Sequence, residues 1–112
     1  MQIVDQILTS DELKLMAKKI FGNLIKAVVD VDRNLLAIDA NLHADLEAFL
    51  LENGSEQKNL WGINLYPELS GDDFVEFDSM INLRPNQNNF SRSVDDIEIR
   101  KKILKIVSAR IK

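Results

Sequence analysis

Between residues 24 and 40 the chain alternates. Ile25, Ala27, Val29 and Val31 are separated by Lys26, Val28, Asp30 and Asp32, and after the polar turn Asp32-Arg33-Asn34 the alternation resumes at Leu36, Ile38 and Ala40. A period of two predicts a hairpin with one apolar face and one increasingly acidic face. Upstream the period changes: Leu13, Met16, Ala17, Ile20 and Phe21 recur at helical spacing. Thr9 or Ser10 with Glu12 forms a capping box ahead of that helix, and Gly22-Asn23 supplies a left-handed stop behind it. Residues 2–8 are a short apolar segment suited to an edge strand. A second helix is predicted from about Leu42 to Asn53, stopping at Gly54.

The chain then nearly repeats itself, since Ile63-Asn64-Leu65-Tyr66-Pro67 and Ile81-Asn82-Leu83-Arg84-Pro85 share the pattern Ile-Asn-Leu-x-Pro. The spacing is too short for a domain repeat and predicts two strands, each ending at a proline that cannot donate to a ladder. Trp61, Ile63, Leu65, Val75, Phe77, Ile81 and Leu83 then point to the core, and Asn64, Tyr66, Glu76, Asp78, Asn82 and Arg84 to the opposite face. A polar loop from Arg84 to Ser93, broken only by Phe90, leads to a last helix that starts near Asp95. The order (β)αββαββα predicts a single α+β domain over residues 1–112. Its sheet is mainly antiparallel, with the helices packed on one face.

Charge and composition narrow the function classes. Of 112 residues none is cysteine, which removes disulfides, thiolate metal sites and thiol catalysis. The net charge is −4, but residues 95–112 hold six cations against three acids, leaving an acidic body with a basic tail. That balance argues against non-specific binding to a phosphate backbone. No apolar run is long enough to span a membrane, and the first residues lack a signal-peptide layout, so a cytoplasmic setting is expected. The four glycines are scattered, so no phosphate-binding loop forms, and nothing in the chain requires a cofactor.

Three groups of polar residues stand out. His43 and Glu47 lie four apart on the second helix and share a face bordered by leucines, with Asp39 and Asp45 nearby. An imidazole and a carboxylate at that spacing can hold a divalent metal or work as an acid–base pair. The plainer role is a first-turn hydrogen bond, because two ligands without a third do not make a metal site. The second group is Asn64, Tyr66, Asn82 and Arg84 on the outward hairpin face. Asparagine is disfavoured in strands, so its use on both points to hydrogen bonding, either to a ligand or across a subunit contact. The third is Arg100, set within the apolar arc of the last helix. It is placed either to pair with Asp30, Asp32 or Asp39 or to snorkel to solvent.

Leu42-His43-Ala44-Asp45, Trp61-Gly62-Ile63-Asn64-Leu65-Tyr66-Pro67 and Ser79-Met80-Ile81-Asn82-Leu83-Arg84-Pro85 together resemble a small prokaryotic family described only as a domain of unknown function. The resemblance covers nearly the whole chain, and the tryptophan–glycine–isoleucine–asparagine stretch is its most specific part. It implies a single domain and carries no activity, cofactor or catalytic residue. The resemblance implies that a glycine often stands near Asn88, so the conformation of this loop is where the chain departs from its relatives.

The last helix bears Ile97, Ile99, Ile103, Leu104, Ile106, Val107 and Ile111, more apolar width than one helix on a sheet buries. The surplus is expected around Ile99 and Ile106, covered either by a second copy of the chain or by Phe90 of the preceding loop. The reading is a non-catalytic binding or interaction domain that forms a homodimer through its C-terminal helix, its small-molecule ligand unspecified. The alternatives are a small metal-dependent hydrolase using His43 and Glu47, and a nucleic-acid-associated accessory protein using Arg84, Arg92 and the basic tail.

Overall fold

The computed structural model describes all residues from Met1 to Lys112. The elements are β1 (Gln2–Ile3), α1 (Ser10–Ile20), β2 (Ile25–Asp30), β3 (Leu35–Ile38), α2 (His43–Glu52), β4 (Leu60–Leu65), β5 (Val75–Glu76) and α3 (Ile97–Arg110). The strands form one antiparallel sheet in the order β1-β3-β2-β4-β5. The α+β class and the antiparallel sheet are those expected. No helix is long and apolar enough to cross a membrane.

Local chemistry explains the boundaries. Thr9 Oγ1 accepts from the Glu12 amide at 3.2 Å and Glu12 Oε1 accepts from the Thr9 amide at 3.5 Å, so the capping box starts α1. The β2–β3 turn is tied by the buried Asp30 carboxylate, which accepts from the amides of Asp32 (2.9 Å) and Arg33 (3.0 Å). Asn34 closes that turn in the left-handed region at φ 57°, a conformation asparagine tolerates better than most residues.

The helices occupy both faces of the sheet. Ala27, Val29, Leu36, Ile38, Trp61 and Ile63 pack with α1 and α3 on one side. Val28, Ala37 and Leu60 pack with Leu46 and Leu50 of α2 on the other. The expected single helical layer therefore becomes two helices against one. The reason is legible in β2, where Val28 and Val29 are adjacent apolar residues that must point to opposite faces.

The second strand of the last hairpin does not form. Residues Met80–Asn82 and Pro85–Gln87 are short 3-10 turns, and β5 spans only two residues. Beyond β5's reach, the edge of β4 is completed by a side chain instead. The Asn82 amide accepts from Gly62 N (2.8 Å) and donates to Gly62 O (2.9 Å), reproducing both bonds of a strand partner. Glycine is required opposite it, because a Cβ on Gly62 would lie 2.6 Å from Ser79 Cβ and Oγ. The inward residue is thus Asn82, while Ile81 is half-buried on the α2 side and Leu83 is exposed. Phe77 and Val75 are partly buried against the main core.

Candidate functional site

α2 begins at His43 and presents His43, Leu46 and Leu50 to the sheet, with Glu47 on the same side. Burial strips water from the imidazole and lowers its pKa below 6.5; the hydrogen bond to the Ile63 carbonyl opposes this only in part. His43 Nε2–H donates to Ile63 O at 2.7 Å, which makes Nδ1 the acceptor of a neutral ring. Glu47 faces a different partner. Its Oε2 lies 3.9 Å from Arg84 Nη2, an ion pair within which this oxygen accepts no hydrogen bond. The shared helical face is present, but His43 and Glu47 are committed to separate neighbours. Of the flanking acids, Asp45 is exposed on the solvent side of α2. Asp39, at φ 75°, lies 3.8 Å from the N-terminal ammonium. No group of three His, Asp or Glu side chains is gathered to hold a metal ion.

The polar residues of the hairpin divide into two sets. Asn64, Tyr66 and Glu76 are joined where β4 meets β5: Glu76 Oε1 accepts from Asn64 Nδ2 (2.9 Å) and from Tyr66 OH (3.0 Å). Partial burial, followed by the bond to Glu76, raises the Tyr66 pKa above 10. Asp78 accepts from Arg92 Nε at 2.7 Å beside them. Asn64 is buried, and its Oδ1 has no hydrogen-bond partner.

Asn82 and Arg84 lie inside, contrary to the outward placement expected of them, because the segment turns rather than extends. Arg84 is 6% exposed. Its Nε donates to Ile81 O (2.9 Å), its Nη1 to Gln57 O (2.8 Å) and its Nη2 to Leu60 O, while the guanidinium lies 4.5 Å from the centroid of the Trp61 ring. Desolvation lowers its pKa and Glu47 works against that. Asn89, also buried, donates to the carbonyls of Asn82 and Ser93 and accepts from the Asp95 amide, closing the loop on itself. Asn88 sits at φ 59°, the left-handed conformation that glycine adopts most readily and asparagine tolerates.

Arg100 reaches no carboxylate. It donates to Val94 O and Ser93 Oγ and stacks 4.9 Å from the Phe77 ring centroid. The apolar surplus of α3 also differs from expectation. Ile106 is buried at 5%, whereas Ile97 is 64% and Leu104 43% exposed. Phe90 is 67% exposed and does not fold over them. Ile97 and Leu104 instead line a groove of about 540 Å³ with Val75 and Phe77, and Asp72 and Lys101 also border it.

The molecule is thus an α+β domain whose buried polar groups brace a loop and whose open apolar surface runs along α3. The chain belongs to the family described as a protein of unknown function (DUF5674), whose model matches residues 2–110. Among curated proteins and among solved structures, none matches it.

One expected result concerns the imidazole. The folded pKa of His43 lies below its unfolded value of 6.5, so the unfolded chain takes up the proton first. Stability from this group is fully present above 6.5 and is lost as pH falls from there toward the folded pKa. Proton NMR titration of the ring should give a midpoint below 6.5, and His43→Gln should flatten the fall in the unfolding midpoint across that window. A midpoint at or above 6.5 would refute the burial argument.

Proposed function

We propose that this protein is a non-catalytic interaction domain that works in the cytoplasm as a homodimer formed through α3. The observation that carries the reading is the groove beside Ile97 and Leu104. These residues lie two helical turns apart on one stripe of α3 and stay exposed along a single groove. The occupant is a second copy because the two walls carry opposite charge. Asp72 marks the wall before β5, and Arg100 and Lys101 stand on the helix. A two-fold axis through the groove sets each acidic wall against the partner's basic helix.

The inward commitments of His43, Glu47, Asn82 and Arg84 favour binding over catalysis, since each is occupied in holding the fold. Multi-angle light scattering at micromolar concentration should give twice the 12.8 kDa chain mass. Ile97→Glu/Leu104→Glu should restore the single-chain mass without altering the circular dichroism spectrum. A wild-type mass equal to one chain would remove the reading.

A further inference from the structure

At the other end of α3 lies a cavity of different chemistry. It measures about 410 Å³ and is lined by Val31 and Asn34 of the β2–β3 turn and by Lys102, Lys105, Ile106, Ala109 and Arg110 of the helix. Three of its seven lining residues are cations and none is an acid, in a chain whose net charge is −4. We infer that this cavity binds a small phosphomonoester, with the dianion held by Lys102, Lys105 and Arg110 and the organic group resting on Val31, Ile106 and Ala109.

The cations are available and one is already positioned. No carboxylate lies within 4.0 Å of the Lys102 or Lys105 ammonium, whereas Lys14, Lys58 and Lys101 each have an acidic partner. Arg110 Nη2 donates to the Asn34 carbonyl at 2.7 Å, which fixes the guanidinium at the cavity wall before any ligand arrives. The turn's buried acid is occupied elsewhere, since Asp30 accepts from two turn amides and from Ser55 Oγ. Lys102, Lys105 and Ala109 follow one another at three- and four-residue intervals and so share a helix face.

Three positively charged residues lining one cavity suit a group carrying close to two negative charges at neutral pH, which a phosphomonoester does and a single carboxylate does not. The apolar floor adds a preference for an esterified phosphate over the inorganic ion. A cavity of this volume matches a small metabolite. A nucleic-acid strand would need a positive track continuing beyond the cavity, and the acidic body denies it that.

Calorimetric titration of the full-length protein with phenyl phosphate in low-salt buffer tests the inference. It should show saturable binding with one site per chain, at least tenfold tighter than inorganic phosphate. Lys102→Gln/Lys105→Gln should weaken it at least tenfold; both residues are exposed, so the fold is kept. Lys18→Gln, an exposed cation on α1 outside the cavity, should leave it unchanged. Equal weakening by Lys18→Gln would reduce the effect to general charge attraction and overturn the site, as would the absence of saturation. Sedimentation with phosphatidic acid vesicles that phenyl phosphate fails to displace would place the phosphate chemistry at a lipid surface and overturn it too. So would an oligonucleotide that binds more tightly than phenyl phosphate.

Discussion

Replacing Arg84 with methionine is expected to lower stability by about 3–5 kcal/mol, the range for breaking one side of a buried ion pair. Methionine keeps much of the stem that packs on Trp61 but removes every donor. Glu47, whose side chain is 15% exposed, then loses its only nearby cation. The carbonyls of Ile81, Gln57 and Leu60 lose their donor at the same time. Urea unfolding followed by Trp61 fluorescence measures the cost. The paired change Glu47→Gln/Arg84→Met should recover part of it, because the stranded carboxylate is gone. A double variant as unstable as Arg84→Met alone would mean that the carbonyl contacts, not the ion pair, dominate.

Asn82→Ala is expected to cost a comparable amount, on the order of 3–5 kcal/mol. The side chain is fully buried and serves three backbone groups: Gly62 N–H, Gly62 C=O and Arg92 C=O, the last at 2.9 Å. Each orphaned Gly62 group costs about 1–3 kcal/mol when water cannot replace the partner, whereas Arg92 C=O keeps the Ser79 amide at 3.0 Å. Asn82→Asp should be no rescue, since a carboxylate accepts from Gly62 N–H but cannot donate to either carbonyl. Chemical denaturation of both variants checks the expectation. Near-wild-type stability of Asn82→Ala would show that the 79–95 loop is held by other contacts.

These two residues also show where sequence reading stops. α1, the β2–β3 hairpin, α2 and α3 are set by local rules, namely caps, alternation and helical spacing, and all are legible as such. The loop after β5 is set by bonds across about 20 residues of chain, such as Asn82 to Gly62, and long-range side-chain bonds leave no period. The Ile-Asn-Leu-x-Pro repeat therefore predicts two strands, although only the first copy extends. The sequence signal for it is a glycine inside a strand pattern, Gly62, together with an asparagine, Asn82, whose side-chain amide can stand in for a strand partner.

The helix surplus was legible in amount but not in place. Seven apolar positions covering half of α3 do not reveal which part of the arc meets the sheet. Burial of Ile103, Ile106 and Val107 turns Ile97 and Leu104 outward. The four-residue spacing of His43 and Glu47 predicts a shared helix face. Spacing alone could not show that a backbone carbonyl takes one and an arginine more than thirty residues later takes the other.

The proposed dimerisation through oppositely charged walls of one groove is open to a charge-exchange experiment. Asp72→Lys places like charges at both symmetry-related contacts of a dimer, and Lys101→Glu does the same with the opposite sign. Each variant alone should sediment as a lighter species than wild type at equal concentration. Mixed in equal amounts they should recover the wild-type dimer mass, because every contact in the mixed pair again joins an acid to a base. A mixture that sediments no heavier than its separate components would rule out this dimer.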